Sequence, residues 1–521
     1  MKPSLLRSAG VIGIATMTSR VLGLVRDQVL AYFFGAGDAM DAFRIAFRVP
    51  NILRDLFADG AMSAALVPTL TRSLAADGKP AAWRLASNLI SLLLLVTGVV
   101  VLAGVVFAKP LVSLYAGDFR DVPGKLELTI RLTRIMFPFL MMVAIAAAFM
   151  GMLNALHRFF IPALSPAMFN LSTIVGALTL VPLASRFGVA PILAIAAGTL
   201  VGGLGQVFLQ WPALRREGFR YRPTLDLQDP WLREIGRLML PAVAGLAAVQ
   251  INLFVNSWLA TSLGTGAVSW LDYAFRLMYM PIGLFGLSIA TASLPGISVH
   301  AAANNDAGVR ESVSNGLRMM LMLNVPATVG LFVLATPIVR LIFEHGQFTP
   351  ADTAATASAL AFYAPGLVGY SAVKLMSRAF YALGNSRIPM LASAVSVTAN
   401  VVFSLLVIGV LGHRGLALGT ALAALTNAGM LLFFLRDRLA GLEGKRVLTT
   451  LTKISAASLL MALAAYTAER LLHIPFPGSN VSTQGVRVFG AIAVGVIVLA
   501  ASAQLLRIEE FTENVRLLKP W

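Results

Sequence analysis

Long uncharged stretches dominate the pattern of hydrophobic and polar positions along the chain. Each is close to the roughly 20 residues that an α-helix needs to cross the hydrocarbon of a bilayer. Short polar segments, several of them rich in Arg, separate the stretches. The pattern therefore predicts an all-α polytopic membrane protein. The clearest spans are 85–108, 135–156, 159–185, 187–214, 319–339, 353–373, 415–435 and 488–506.

A longer apolar region lies in the middle of the chain. The uncharged run 238–271 exceeds one upright span, and a second run follows at 277–305. We therefore predict two helices there, separated by a tight turn at Gly264-Thr265-Gly266. Four further helices bring the count to fourteen, and an even count places both termini on one side of the membrane. These four are 8–33, 40–70, 388–411 and 450–471.

The distribution of basic residues predicts the orientation. Lys and Arg in short loops stay on the cytoplasmic side, so we expect both termini to be cytoplasmic. The net charge of +17 then reflects topology and attraction to anionic lipid headgroups, and it does not indicate a nucleic-acid partner. The internal loops hold Arg72, Lys79, Arg84, Arg158, Arg215, Arg216, Arg220, Arg222, Arg310, Arg387, Arg436, Arg438, Lys445 and Arg446.

Weak internal similarity indicates that the chain is a duplication. Ile161-Pro162 aligns with Ile388-Pro389 when the two halves are superimposed, and the predicted helices of each half have similar spacing. Transporters built from such repeats bind their substrate between the halves, near the bilayer midplane. The predicted domains are an N-lobe of six helices, a C-lobe of six helices and a final helix pair, at 1–222, 223–440 and 441–521.

Charged residues interrupt the first two spans. A charge near the bilayer centre costs about 2.5–3.5 kcal/mol even on lenient scales, so several together require water, counter-charges or a ligand. In the second span they recur mostly at steps of three and four, which places them on one helix face, bent at Pro50. Bases outnumber acids, which predicts a cavity for an anion. The residues are Arg20, Arg26, Asp27, Asp41, Arg44, Arg48, Asn51, Arg54, Asp55 and Asp59.

The second half adds Arg276, with Asp272 one turn before it, and the pair Lys374 and Arg378. The use of Arg more than Lys favours bidentate recognition of oxyanions. The alternative interpretation is structural: internal ion pairs, or arginines that snorkel to the interface. Whether Lys374 and Arg378 line the cavity or anchor a helix stays open at this point.

The sequence carries no pattern typical of catalysis. It has no Gly-x4-Gly-Lys-Ser/Thr phosphate loop, no Ser/His/Asp set in a plausible site and no cysteine. Its five histidines form no pair at metal-ligand spacing. We therefore predict a transporter that makes and breaks no covalent bond and that uses no metal or cofactor. We expect the membrane potential to drive it.

Several motifs carry a resemblance to a known family. The chain resembles the MurJ (MviN) lipid II flippases of the multidrug/oligosaccharidyl-lipid/polysaccharide exporter superfamily over essentially its whole length. The motif from Thr18 to Asp27, TSRVLGLVRD, is the most specific. The others are Phe34 to Gly37, Asp41 to Phe43, Pro50 to Arg54, Phe57 to Ala61, Val268 to Trp270, Arg276 to Met278 and Phe343 to Thr349.

The resemblance implies fourteen helices, two lobes in a V around a central cationic cavity, and a last helix pair that forms a lipid-tail groove. It also implies that Phe275 and Tyr279 stand where the family often has acids, so Asp272 is the expected counter-charge of Arg276. The cavity residues that it implies are Arg20, Arg26, Arg54, Arg276, Asp27 and Asp41.

These observations predict a flippase that moves lipid II from the inner to the outer leaflet of a bacterial cytoplasmic membrane by alternating access. Arg26 and Arg276 would grip the pyrophosphate, assisted by Arg20 and Arg54. Lipid II, membrane lipids and cell-wall synthesis proteins are the expected partners. The counter-charges and polar residues of the cavity are expected to be Asp27, Asp41, Arg48, Asn51, Asp59 and Asp272.

Other functions remain open at this point. A cation-coupled multidrug exporter, or an exporter of another lipid-linked oligosaccharide, would share the architecture. The multidrug exporter should have an acid-dominated cavity, which the arginine excess disfavours. A non-transporting membrane scaffold would not need the arginines for cell-wall synthesis.

Overall fold

Helices account for all regular structure in the part of the chain that the computed structural model describes, residues 3–55 and 62–512. The prediction of an all-α fold is confirmed. The chain divides into two compact units, one formed by 3–269 with 345–348 and the other by 270–344 with 349–512, over the described residues.

Ten α-helices and one 3₁₀-helix, Gly117–Asp121, lie within unit 1. The largest helix–helix interface in this unit joins α8 and α9. The helices are α1 (Pro3–Phe34), α2 (Asp38–Arg54), α3 (Met62–Ala76), α4 (Gly78–Val106), α5 (Ala108–Tyr115), α6 (Lys125–Met136), α7 (Phe139–Ala155), α8 (Phe160–Arg186), α9 (Ile192–Arg216) and α10 (Pro230–Thr261).

Unit 2 contains the remaining helices, and α11 begins just before its first residue. A π-helical turn, Ile282–Gly286, joins α11 to α12. The helices are α11 (Ala267–Pro281), α12 (Leu287–Ala302), α13 (Asp306–Val333), α14 (Ala335–Phe343), α15 (Pro350–Tyr363), α16 (Gly366–Ala382), α17 (Arg387–Leu411), α18 (His413–Arg438), α19 (Gly444–His473) and α20 (Val481–Leu505).

Ten spans in the described residues are long and apolar enough to cross a membrane, or eleven when the bent pair α15 and α16 is one span. Helices α1 and α10, with 32 residues each, are about 48 Å long at 1.5 Å per residue. The predicted span 40–70 corresponds to α2 and α3, on either side of the undescribed residues 56–61. The protein is a multi-pass membrane protein, and the count of fourteen stays a prediction.

The predicted turn in the central apolar region is confirmed. Helix α10 ends at Thr261 and α11 begins at Ala267. Gly264 and Gly266 have φ angles of +85° and +91°, which lie in the left-handed region where only glycine avoids a steric penalty. The turn therefore depends on both glycines.

Local sequence signals fix where several helices start. The Asp229 carboxylate accepts hydrogen bonds from the backbone N–H groups of Trp231 and Leu232, at 2.9 and 3.3 Å, and Pro230 follows it as the first helical residue. These are the usual features of a helix N-terminus. Thr349 and Asp352 form a reciprocal capping box at α15.

The segment 217–229 between α9 and α10 lies along α4 within unit 1. Asn88 pairs with the backbone of Asp226 through two 2.7 Å hydrogen bonds, and the Ser87 hydroxyl accepts from the Arg222 N–H at 3.3 Å.

The compact units meet along the chain at 269/270, whereas the domain limits predicted from the repeat are 222/223 and 440/441. Those limits stay predictions.

Small residues let α8 and α9 approach closely, as the glycine-rich run in α9 indicates. A Cβ atom added at Gly202 would lie 2.8 Å from the Cα atom of Phe169 on α8. A Cβ atom added at Gly203 would lie 3.0 Å from the ring of Phe139 on α7. Backbone atoms cannot move aside as a flexible side chain can. Gly202 therefore sets the distance between these two helices.

Gly202→Ala should lower the stability of the protein, because the added methyl group meets backbone and such overpacking costs about 1–3 kcal/mol. Gly98→Ala is the matched control, since nothing lies within 4 Å of its added Cβ and alanine favours a helix over glycine. Thermal unfolding of the purified proteins in detergent measures both. Equal unfolding temperatures for the two variants would contradict the close approach.

Candidate anion-binding site

Arg26 lies at the centre of a buried polar cluster in unit 1. Its Nε and Nη2 atoms donate to the same Asp27 oxygen at 3.1 and 2.8 Å. A second arginine, Arg44 of α2, lies 3.8 Å from that oxygen. All three side chains are buried, so Asp27 provides the nearby negative charge that two buried guanidinium groups need.

Helix α8 holds Arg26 from the other side. The Arg26 Nη1 atom donates to the Asn170 side-chain oxygen at 3.0 Å, and the Asn170 amide donates to the Ser19 carbonyl at 2.9 Å. The Phe169 ring centroid lies 5.2 Å from the Arg26 guanidinium carbon, within cation–π range. The guanidinium therefore has a fixed orientation. Asn170 was not predicted as a site residue, because no periodic signal links a residue on α8 to one on α1.

A second cluster forms around Asp55 at the end of α2. The Arg54 guanidinium bonds one carboxylate oxygen at 2.5 Å, and the amides of Asn51 and Gln250 donate to the other oxygen at 3.3 Å each. Gln250 comes from α10, which the sequence analysis did not connect to α2. Arg48 and Arg20 are half-buried on α2 and α1. Asp59 lies outside the described residues.

Asp41 has a different set of partners from the arginines that were predicted. Its carboxylate is fully buried and bonds the Lys125 ammonium at 3.0 Å, the Gly266 N–H at 2.7 Å and the Ser269 hydroxyl at 2.7 Å. Lys125 also bonds Asp38 at 2.8 Å. Asp41 thus ties α2 to α6 and to the α10–α11 turn, and its role as a counter-charge of the cavity stays a prediction.

Lys125 is a further cation of unit 1. It lies between Asp38 and Asp41, so it pairs with the two acids at the start of α2. Within the described residues, the acids bonded to the five arginines from Arg20 to Arg54 include Asp27 and Asp55. The arginines thus still outnumber the acids, as the sequence indicates, which favours an anionic ligand.

Unit 2 carries its own basic group. The Arg276 Nε atom donates to the Asp272 carboxylate at 2.8 Å, one helical turn away on α11, and 37% of the Arg276 side chain is exposed. On α16, Lys374 donates to the Tyr279 hydroxyl at 3.3 Å and Arg378 to the Thr291 hydroxyl at 2.8 Å. Within the described residues, the hydrogen bonds of Lys374 and Arg378 go to neutral hydroxyl groups, and neither side chain forms an ion pair.

Comparison with known proteins decides the family. A family model described as "Lipid II flippase MurJ" matches residues 30–482. The chain is 34% identical over 504 residues to the "Probable lipid II flippase MurJ" of Vibrio cholerae serotype O1, and the match covers 94% of each protein. The chain belongs to the MurJ family.

The three-dimensional likeness agrees with this assignment. A solved MurJ, "Lipid II flippase MurJ, inward closed conformation", matches with a TM-score of 0.78 and 27% identity, covering 95% of this chain and 99% of that one. An inward-facing multidrug resistance MATE transporter of the MOP superfamily matches with a TM-score of 0.69 and 16% identity, over 84% of this chain and 99% of that one. At that identity the second likeness shows a shared fold alone.

Lys125→Met should destabilise this MurJ-family protein strongly. The substitution leaves the buried Asp41 carboxylate without its cation, and breaking one partner of a buried ion pair costs about 3–5 kcal/mol. Adding Asp41→Asn to Lys125→Met should recover part of the loss, because it removes the stranded charge. Thermal unfolding of the single and double variants in detergent measures this coupling.

Lys109→Met is the control for Lys125→Met, since Lys109 is an exposed lysine on the neighbouring helix α5. It should leave the unfolding temperature unchanged. Purely additive effects of Lys125→Met and Asp41→Asn would show that the two side chains are not coupled.

Proposed function

We propose that this protein is a flippase that moves lipid II from the cytoplasmic to the periplasmic leaflet of a bacterial cytoplasmic membrane. The observation that carries the proposal is a match to a curated probable lipid II flippase over 94% of both chains. The arginine groups of the two units support it, because lipid II carries a pyrophosphate. The reaction makes and breaks no covalent bond.

Recognition of the pyrophosphate is assigned to arginines of both units, with Arg26 and Arg276 as the primary ligands and Arg20 and Arg54 assisting. Guanidinium groups bind phosphate oxygens in pairs of parallel hydrogen bonds. Asp27 and Asp272 form ion pairs with the two primary arginines. Phosphate oxygens can accept the same N–H donors that these carboxylates accept, since both groups carry anionic oxygens.

The two primary arginines differ in exposure, which fits alternating access. Arg26 is buried, with 7% of its surface exposed, whereas more than a third of the Arg276 side chain is open. The proposal requires a second conformation in which Arg26 is uncovered. Substrate that binds this conformation more tightly would shift the population toward it.

The lipid tail of the substrate is assigned to the surface of α19 and α20. Leu459, Leu463, Phe489 and Ile497 on these helices are 63–68% exposed. The buried ion pair between Arg487 and Glu469, at 2.5 Å, fastens the two helices together. An apolar surface of this kind lets the polyprenyl chain stay in lipid while the headgroup crosses.

The membrane potential is the proposed driving force. Moving one negative charge outward across an inside-negative membrane releases about 2.3 kcal/mol per 100 mV. An empty, positively charged site would be drawn back toward the cytoplasm by the same field. The basic loops support an orientation with both termini in the cytoplasm, and cell-wall synthesis proteins are proposed as partners.

Arg26→Ala and Arg276→Ala should each reduce lipid II translocation by at least tenfold. Hydrogen bonds to charged groups contribute about 1.5–3 kcal/mol, and 1.4 kcal/mol corresponds to a factor of ten. Labelled lipid II in proteoliposomes of defined orientation, with and without an imposed potential, measures the rate. Arg436→Ala is the control, since Arg436 is an exposed arginine at the end of α18.

Four results would count against the proposal. Unchanged transport in Arg26→Ala would show that Arg26 does not bind the pyrophosphate. A transport rate that does not depend on the potential would show that the potential does not drive transport. Export of cationic drugs in place of lipid II would favour the multidrug alternative. The scaffold alternative would be favoured if the folded wild-type protein transported neither lipid II nor cationic drugs. It would also require that Arg26→Ala and Arg276→Ala still support cell-wall synthesis in cells.

A further inference from the structure

An apolar cavity of about 230 Å³ lies on the outer side of unit 1, between helices α4, α7 and α9. Its wall is almost entirely hydrocarbon and aromatic. Phe208, at its mouth, is 66% exposed, so the cavity opens away from the protein core. The side chains that form its wall include Ile90, Leu94, Phe149, Phe208, Trp211 and Tyr221.

Exposed arginines lie in the stretch of chain that joins two wall residues, Trp211 and Tyr221, and directly after it. Arg215 lies with its guanidinium carbon 5.8 Å from the centre of the Trp211 ring, which forms part of the wall. Arg220 and Arg222 flank Tyr221, which also forms part of the wall. We call Arg215, Arg216, Arg220 and Arg222 the basic rim. None of these four forms an ion pair within the described residues, and each is exposed.

The one acid in this stretch does not neutralise the basic rim. Glu217 bonds Arg158 at 3.0 Å and Lys79 at 3.6 Å, so its charge is already shared by two other cations. The rim therefore carries four positive charges over eight residues. Its local field attracts an anion held close to the cavity mouth.

The rim is held in place against α4. The Tyr221 hydroxyl lies 3.0 Å from the Ser91 hydroxyl, and the same Ser91 oxygen accepts from the Thr224 N–H at 3.3 Å. Phe219 is fully buried and packs edge-on against Phe149 and Trp211. The cavity wall and the backbone that carries the rim are thus held in place, which lowers the ordering cost of binding.

We propose that this site binds an anionic phospholipid, with part of one acyl chain in the cavity and the headgroup phosphate on the basic rim. The wall offers no polar partners for a sugar or peptide, whereas an acyl chain needs none. The rim complements a phosphate, and a lysine or arginine near an anionic membrane surface contributes about 1 kcal/mol. The basic loops place the site in the cytoplasmic leaflet.

Two related kinds of lipid differ from the proposed occupant, one in its tail and the other in its charge. A polyprenyl phosphate shares the phosphate but has a branched, methyl-bearing chain, and a zwitterionic phospholipid shares the acyl chain but has no net negative charge. The proposal predicts preference for the anionic phospholipid over both. It does not depend on the flippase function, so the two can fail separately.

The test is the binding of lipids of defined composition to the full-length protein in detergent, measured by native mass spectrometry. Phosphatidylglycerol, phosphatidylcholine and undecaprenyl phosphate are the three probes. The wild-type protein should bind phosphatidylglycerol at least tenfold more tightly than phosphatidylcholine. Undecaprenyl phosphate should not displace it.

Two kinds of variant locate the binding. Arg215→Glu with Arg216→Glu reverses two rim charges and should weaken phosphatidylglycerol binding at least tenfold. Val207→Phe fills the cavity from its wall and should weaken the binding of both phospholipids. The matched control is Arg436→Glu with Lys445→Glu, an equal charge change on exposed residues of unit 2.

Wild-type binding in both the rim and the cavity variants would overturn the proposal. So would equal loss in the control pair, because binding would then follow net charge alone. Displacement of phosphatidylglycerol by undecaprenyl phosphate would instead assign the site to polyprenyl lipids. Lipid II translocation, measured on the same variants, reports on the proposed transport separately.

Discussion

The cost of placing charge inside an apolar helical bundle governs this structure. The buried cations in the described part of unit 1 have fixed partners: Arg26 and Arg44 share Asp27, and Lys125 lies between Asp38 and Asp41. Removing one partner would strand a charge in low dielectric. These ion pairs therefore hold α1, α2 and α6 in position, and they also place the guanidinium groups that are proposed to bind substrate.

The same pairing explains how a cationic site can exist before its ligand arrives. Asp27 and Asp272 each bond their arginine through one carboxylate oxygen, and Asn170 fixes Arg26 from a separate helix. Lys125 pairs with the two acids at the start of α2, Asp38 and Asp41. The net result is a positive excess on α1 and α2, with a second group on α11 and α16.

Local patterns in the sequence predicted the helices, the glycine turn at Gly264 and Gly266, and the pairing of Arg276 with Asp272, since each of these depends on neighbours within a few residues. The contacts of Arg26 with Asn170, of Asp55 with Gln250 and of Asp41 with Lys125 could not be predicted in this way. They join residues that are 144, 195 and 84 positions apart, and helical periodicity carries no information about which faces of two distant helices meet. Specific motifs identified the family, but they did not reveal these partners.

The most direct test of the proposed transport mechanism asks whether the protein recognises the pyrophosphate or the polyprenyl tail of lipid II. Translocation of labelled lipid II by the wild-type protein in proteoliposomes would be measured with two competitors that have the same tail, undecaprenyl pyrophosphate and the uncharged alcohol undecaprenol. The account predicts that the pyrophosphate inhibits and that the alcohol does so at least tenfold less well, since only the former engages arginines. Equal inhibition by the two would place recognition in the tail and contradict the account.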